Sequence, residues 1–303
     1  MLYLKNLIDH SAKIGADKTL VQGAGGNTSL KLNQSLWIKS SGTKLEDALK
    51  KNIFVELDLK KAIRYSVYDD VNEINKALVN PDSNLRPSIE TAMHSLIDFP
   101  VVTHVHSLGA LSIAVQNNPD KEIKKLNEIV SAIFIPYLKP GAELARTIQE
   151  KIKAHHRVLI LGNHGMTVWG EDFEEVENII YKIELYLRGD NFEFKNTSKS
   201  SPEWAENLCK GILTPDELIF LGEKPYELEH LEEDESKSLF KISKYGDIKL
   251  IKDINQDQSD ISQLLINLGN ILPENTKLNF LTQDNIKELI NWEMEKYRKD
   301  LNS

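Results

Sequence analysis

Short apolar segments with strand character alternate with amphipathic helical segments through the first 190 residues of the chain. Residues 101–106 and 158–162 form continuous apolar runs of strand length, whereas residues 173–188 have the length and spacing of a long helix. Glycine-rich and polar turns separate these segments. This alternation predicts an α/β fold, in which helices cover the faces of a central sheet.

A second helix is predicted to start at Ser88, which follows Pro87 and is a plausible N-cap. Residues 196–202 are small and polar, which predicts a linker between residues 1–195 and an extension at 203–303. The extension mixes helix and strand signals. It includes an acidic run at 232–235, which is typical of a solvated loop, and a predicted helix at 284–298. The apolar stripe of the helix after Ser88 consists of Ile89, Ala92, Met93, Leu96 and Ile97.

Two histidines, His104 and His106, lie two residues apart in the predicted strand 101–106. Side chains two apart in a strand point to the same face, so both imidazoles can bind one ion. A catalytic metal site commonly has three protein ligands and one open position. His164 is the best third candidate, because it follows the apolar strand 158–162 in a turn between Asn163 and Gly165.

Other residues compete for these roles. His155 and His156 are adjacent, so their side chains diverge, and they are the weaker choice for the third ligand. His94 lies four residues after Glu90 and is a ligand, a packing residue or a hydrogen-bond partner of Glu90. Glu90 itself either complements a helix dipole or acts as an acid/base beside the metal.

Two short loops have the composition of anion-binding turns. Gly25-Gly26-Asn27 and Ser41-Gly42-Thr43 combine accessible backbone N–H groups with small polar side chains, and Ser88 at a predicted helix start adds a third donor. The glycines match neither a dinucleotide fingerprint nor a P-loop, because no Gly-Lys-Ser/Thr follows and a strand comes next. These loops predict binding of a phosphate or carboxylate.

The charge balance narrows the choice of partners. The net charge is -9, which disfavours nucleic acid and anionic membranes as main partners. The single cysteine, Cys209, excludes an intrachain disulfide and fits a reducing compartment. The first ten residues contain charges and match neither a signal peptide nor a membrane span, so we expect a cytoplasmic protein.

Six short motifs follow one another along the first part of the chain: Gly25–Ser29, Ser40–Thr43, Arg86–Glu90 with His94, His104–His106, Ile135–Tyr137 and Gly162–Gly165. In this order and spacing, the motifs resemble the class II aldolase/adducin family over about residues 1–190. The Arg-Pro-Ser-Ile-Glu form at 86–90, with looser matches at 214–217 and 291–293, is more similar to the aldolase half of aldolase/short-chain-dehydrogenase fusions.

The resemblance implies a three-layer α-β-α fold with a central mixed, largely antiparallel sheet. It implies one divalent metal per subunit, with zinc favoured over manganese, cobalt or iron, and a homo-oligomer, most often a tetramer, with sites between subunits. It also implies residue roles: metal ligands His104, His106 and His164; acid/base Glu90; a proton donor acting across a subunit boundary, Tyr137; and substrate-phosphate contacts Gly26, Asn27, Ser41, Gly42 and Ser88.

The implied function is a metal-dependent lyase that cleaves or forms a C–C bond of a ketose or ketose phosphate through a metal-stabilised enediolate. Epimerase, dehydratase and decarboxylase activities on a sugar or sugar acid use the same site, and a non-catalytic adducin-like binding module is the alternative of another class. Ile89 departs from the serine of the sugar-phosphate aldolases. The substrate is therefore non-phosphorylated, or Lys39 or Lys44 supplies the missing charge.

Overall fold

A seven-stranded sheet forms the centre of the computed structural model, which describes residues 2–68, 71–229, 238–273 and 275–292. The strand order is β3-β2-β1-β4-β7-β6-β5, and every neighbouring pair is antiparallel except β5 with β6. This confirms the mixed, largely antiparallel sheet. The strands are β1 (Asn27–Leu32), β2 (Ser35–Lys39), β3 (Phe54–Asp58), β4 (Val101–Val105), β5 (Ala132–Ile135), β6 (Val158–Leu161) and β7 (Gly165–Gly170).

Helices cover both faces of this sheet. Along β6, Val158 and Ile160 belong to one hydrophobic cluster and Leu159 and Leu161 to another, so alternate side chains enter different layers. Burial of each such side chain contributes roughly 1.5–3 kcal/mol to folding. The three-layer prediction is confirmed. The helices of this part are α1 (Leu2–Ala16), α2 (Leu59–Tyr65), α3 (Val71–Asn75), α4 (Thr91–Leu96), α5 (Leu108–Ala114), α6 (Asp120–Leu126), α7 (Ala142–Lys151) and α8 (Phe173–Arg188).

Helix α5 is apolar on all sides and every one of its residues is buried. It lies beside α8 and also beside a helix of the C-terminal third of the chain. That third adds a small sheet of order β10-β9-β8. Its elements are α9 (Pro202–Leu208), a π-helical turn (Glu217–Leu221), β8 (Tyr226–Leu228), β9 (Phe240–Ile242), β10 (Ile248–Leu250), α10 (Gln256–Leu268), which contacts α5, and α11 (Gln283–Asn291).

The C-terminal third shares its hydrophobic core with the first part. Leu213 and Leu264 belong to the same cluster as Leu111 of α5. The predicted linker is not free in solvent, because Ser198 and Ser200 exchange backbone hydrogen bonds with Ile248 and Gly246. The division into domains at 1–195 and 203–303 stays a prediction. The acidic run 232–235 and the part of the predicted last helix beyond Trp292 lie outside the described residues.

The predicted start of a helix at Ser88 was wrong. Helix α4 begins at Thr91, and Glu90 is its N-cap residue, with φ -97° and ψ 11°. The Ser88 hydroxyl accepts a hydrogen bond from the Glu90 backbone N–H at 3.2 Å, and the Thr91 hydroxyl donates to the Ser88 carbonyl. These bonds form a turn that precedes the helix. The Glu90 side chain therefore extends from the end of this turn and not from within the helix.

No helix in the part of the chain that the structure describes is both long and apolar enough to cross a lipid bilayer.

Candidate metal centre

His104 and His106 lie at one end of the central strand β4. His104 pairs with Asn27 of β1 and Thr167 of β7, so it is flanked by strands on both sides, and His106 directly follows the strand. Both side chains are buried. Their Nε2 atoms are 3.0 Å apart. The two imidazoles therefore converge as the strand periodicity predicts.

His164 lies in the tight turn between β6 and β7. Asn163 has φ 56°, and Gly165 has φ 157° with a position for Cβ only 2.3 Å from the Val105 carbonyl oxygen, so a side chain cannot fit there. This turn places the His164 ring centroid 4.8 Å from that of His104 and 4.9 Å from that of His106. The structure thus brings the three predicted imidazoles together.

Glu90 completes the group from the start of α4. Its Oε1 atom is 3.4 Å from His104 Nε2 and 3.6 Å from His164 Nε2, while its Oε2 atom accepts a hydrogen bond from Asn27 Nδ2 at 2.5 Å. Oε1 is buried and has no hydrogen-bond partner. A buried carboxylate oxygen normally has one, so this atom is directed at a place where a cation would satisfy it.

The donor set fits a divalent cation. Ligand atoms on a tetrahedral zinc ion are about 3.3 Å apart for bonds of about 2.0–2.1 Å. The separation of 3.0 Å between the His104 and His106 Nε2 atoms lies close to that value, and Glu90 Oε1 approaches the Nε2 atoms of His104 and His164 to 3.4 and 3.6 Å. All four residues offer ligand atoms within 4.8 Å of one another. Burial lowers the pKa of His164 to about 3, which keeps this imidazole neutral, as a metal ligand must be.

A carboxylate that the sequence interpretation did not assign also contacts the group. Asp216 Oδ2 lies 2.5 Å from His106 Nδ1, and both side chains are buried. Thr167 Oγ1 is the corresponding partner of His104 Nδ1, at 3.0 Å. In the sequence, Asp216 appeared only as part of the loosely matching motif at 214–217. Nothing in that motif indicated a contact with the histidines.

The two predicted anion-binding loops, one around Gly26 and one around Gly42, lie near the end of β4 that carries the histidines. Gly26 and Gly42 have φ 61° and 75°, which favours glycine at both positions. The Ser41 N–H donates to the Arg86 carbonyl, which brings this loop beside the segment that carries Ser88. Lys39 Nζ donates to the carbonyls of Ala24 and Thr43 and so joins the two loops.

The two lysines predicted to supply positive charge to a substrate phosphate both form bonds to other groups of the protein. Lys39 is buried beneath the loops, and Lys44 forms an ion pair with Asp257 of α10. The positive charge of Lys44 is therefore compensated by a carboxylate of the C-terminal third. Asn27, a predicted phosphate contact, directs its amide N–H group at Glu90.

The other candidates have different surroundings. His94 is buried, and its Nδ1 atom lies 2.7 Å from Ser29 Oγ, a contact that joins α4 to β1. Burial lowers the pKa of His94 well below the ordinary value. The rings of His155 and His156 do not diverge as predicted but meet edge to face, with centroids 4.4 Å apart, and neither residue is in the cluster. Tyr137 follows β5, packs against the main hydrophobic cluster, and has its hydroxyl buried within its own chain. Its action across a subunit boundary stays a prediction.

Comparison with known proteins identifies the class to which this fold and this cluster belong. The model of the class II aldolase and adducin N-terminal domain matches residues 6–188, and the chain belongs to that family. The class II aldolases are metal-dependent, and the chain has a buried glutamate and three-histidine cluster able to bind a metal.

Three similar proteins differ in function and length. The uncharacterized oxidoreductase YuxG of Bacillus subtilis is 27% identical over 61% of this chain, which spans only 29% of that protein. The methylthioribulose-1-phosphate dehydratase of Microcystis aeruginosa is 30% identical over 55% of this chain and 84% of its own. The N-terminal class II aldolase domain of a conserved protein from Thermoplasma acidophilum is 27% identical, with a TM-score of 0.52, over 60% of this chain and 92% of its own.

Proposed function

We propose that this chain is a metal-dependent lyase that cleaves or forms a C–C bond of a ketose or ketose phosphate through an enediolate. The observation that carries the proposal is the buried group of His104, His106, His164 and Glu90, whose ligand atoms lie within 4.8 Å of one another. Such chemistry needs a cation at a carbonyl oxygen and a proton-transfer group beside it. Both requirements are met by side chains in one place.

The three imidazoles would hold one divalent ion per subunit, with zinc favoured and manganese, cobalt or iron as alternatives. The bound ion supplies Lewis acidity, which lowers the energy of negative charge on the substrate oxygens. Metal analysis of the purified protein tests this proposal. It also tests the alternative of a non-catalytic adducin-like module, which should contain no metal.

Glu90 is the proposed acid/base. Asn27 holds its Oε2 atom, which leaves Oε1 directed at the imidazoles. In cleavage, Glu90 would protonate the enediolate carbon, and in C–C formation it would remove that proton. Tyr137 is the proposed proton donor to the aldehyde oxygen in C–C formation, and in cleavage the same group would accept the proton of the hydroxyl that becomes the aldehyde.

The polar end of the substrate would lie against the two loops. Gly26 and Gly42 offer backbone N–H groups, and Ser41 and Ser88 offer hydroxyls. Lys44 adds little charge here because it is paired with Asp257, whereas Lys39 donates to carbonyl oxygens of the loops, which carry no formal charge to offset its own. A single carboxylate therefore suits these loops as well as a phosphate.

A dehydratase is the second candidate. The dehydratase of Microcystis aeruginosa is matched over 84% of its length, with 30% identity. Dehydration removes a proton next to a carbonyl and expels hydroxide from the adjoining carbon, and the two combine as water. It would use the same residues as C–C cleavage, an acid/base beside three imidazoles that could hold a cation able to favour the enolate. Epimerisation and decarboxylation also pass through such an enolate.

A substrate panel separates these reactions. The metal-loaded protein is incubated with ketose phosphates, free ketoses, sugar acids and methylthioribulose 1-phosphate. Aldehyde release is followed with a coupled reductase, and loss of water by mass spectrometry. We expect aldehyde release, abolished in Glu90→Gln. Water loss without aldehyde would establish the dehydratase instead, and metal-loaded protein that converts no substrate would overturn both enzyme proposals.

The homotetramer and the cytoplasmic location stay predictions. The small-molecule partner is proposed to be a sugar or sugar phosphate. Light scattering of the purified protein measures the number of subunits, and a monomer would contradict the proposed sharing of sites between subunits.

A further inference from the structure

We propose that Asp216, from the C-terminal third of the chain, is a positioning residue for His106 and sets the metal affinity of the centre. The proposal rests on the proposed metal centre. Asp216 Oδ2 is 2.5 Å from His106 Nδ1, although the two residues are 110 positions apart in the sequence. Their side chains are 7% and 6% exposed, so water does not weaken the contact.

The contact fixes which nitrogen of His106 can bind a cation. A carboxylate can only accept, so His106 Nδ1 carries the proton and donates it. The lone pair then lies on Nε2, the atom that faces His104 Nε2 at 3.0 Å. A charged acceptor also makes the imidazole a stronger donor to a metal than a neutral acceptor such as Thr167 does for His104.

Gly25 provides the space for this pair. A Cβ atom at residue 25 would lie 2.9 Å from both Asp216 Oδ2 and His106 Nδ1. Gly25 does not have the left-handed backbone conformation of Gly26, so close approach rather than φ requires glycine here. The glycine-rich loop thus has a second role besides the proposed anion binding.

The segment around Asp216 is held rigidly. The Leu213 N–H donates to Glu217 Oε2, and the Glu217 N–H donates to the Thr214 hydroxyl. The Leu213 carbonyl accepts from Asn163 Nδ2, directly before His164. The same five-residue segment therefore contacts both His106 and the turn that carries His164. This gives the C-terminal third a specific role in the proposed metal centre.

The test compares metal binding by three full-length variants with that of the wild type. Asp216→Asn keeps the size and an acceptor but removes the charge, and Asp216→Ala removes both. Asp260→Asn is the matched control, because Asp260 is also buried in the C-terminal third but pairs with Lys18. Zinc affinity is measured by competition with a chelating dye, the visible spectrum of the cobalt form reports the ligand geometry, and melting of the metal-free proteins reports folding.

We expect Asp216→Ala to bind zinc about 10–100-fold more weakly, and Asp216→Asn to show a smaller loss. Both should shift the cobalt spectrum, whereas Asp260→Asn should keep the affinity and spectrum of the wild type. Wild-type affinity and spectrum in both Asp216 variants would overturn the proposal and leave the metal centre intact. A wild-type protein that binds no divalent metal would overturn the metal centre and, with it, this role of Asp216.

Discussion

Glu90 is the residue whose surroundings most directly connect structure with chemistry. We predict that Glu90→Gln retains the metal and loses turnover by about 10²–10⁴-fold, because the amide keeps the size of the side chain but cannot take a proton. Metal content and turnover of the same preparation check this. Near-normal turnover would remove Glu90 from the acid/base role.

We expect His104 to be required for binding of the metal ion. His104→Ala should lose the metal, since it removes one of three imidazoles from the centre of the sheet. The matched control is His94→Ala, which deletes an equally buried histidine that contacts Ser29 instead of the cluster. Full zinc occupancy in His104→Ala would contradict the ligand assignment, and loss of zinc from both variants would attribute it to misfolding.

Among single residues, the sequence predicted those whose spacing along the chain fixes the direction of their side chains. His104 and His106 share a strand face, which strand periodicity alone predicts. Local sequence also places His164 in a turn, but the pairing of β7 with β4 brings that turn to the other two histidines. Asp216 could not be predicted in the same way. It reaches His106 from a distant part of the chain, and no periodicity of its own segment points to that contact. The pairing of Lys44 with Asp257 was missed for the same reason.

Among the elements, those with strong periodic patterns were predicted best. The helix at 173–188 has the predicted bounds, and the strand predicted at 101–106 ends one residue earlier, at Val105, because each has a long or continuous apolar pattern. Helix α4 begins later than predicted, because the hydroxyls of Ser88 and Thr91 form a turn that competes with helix initiation. The π-helical turn at Glu217–Leu221 has no signal in the sequence pattern.

That π-helical turn contains a carboxyl group whose titration should be measurable. Burial raises the pKa of Glu217 to about 8, from an ordinary value of 4.5. Between these two pH values the unfolded chain has released the proton and the folded chain keeps it, so this group lowers stability as the pH rises. Above pH 8 both states are ionised and the loss is complete.

We therefore predict that Glu217→Gln, which cannot ionise, gains stability over the wild type as the pH rises from about 4.5 to 8, with a constant difference above that range. Denaturant unfolding of both proteins at a series of pH values checks this. Glu223→Gln, which removes an exposed carboxyl just after the same turn, is the control for the loss of one negative charge. A flat difference for Glu217→Gln would show that Glu217 ionises normally in the folded protein.

In the whole molecule, the C-terminal third contributes side chains both to the main hydrophobic core and to the group of residues around the three histidines. Helix α5 packs against both α8 and α10. We predict that the fragment 1–195 melts at a clearly lower temperature than the full chain, because removal of α10 exposes apolar side chains worth roughly 1.5–3 kcal/mol each. Against a total stability of about 5–15 kcal/mol, a few such side chains are a large loss.

Calorimetry of the fragment and of the full chain measures the difference. Addition of a separately produced fragment 203–303 is the control, and it should raise the melting temperature of the fragment. A fragment that melts with the full chain would mean that residues 203–303 contribute nothing to the stability of the first part.

The separation of 110 residues between His106 and Asp216 has a consequence for biosynthesis. When the ribosome has released the strands that carry the three histidines, the carboxylate that orients one of them has not yet been translated. On the proposed role of Asp216, tight metal binding becomes possible only once residue 216 has left the ribosome. Premature termination before residue 216 would then yield a chain that keeps the three histidines but lacks this carboxylate.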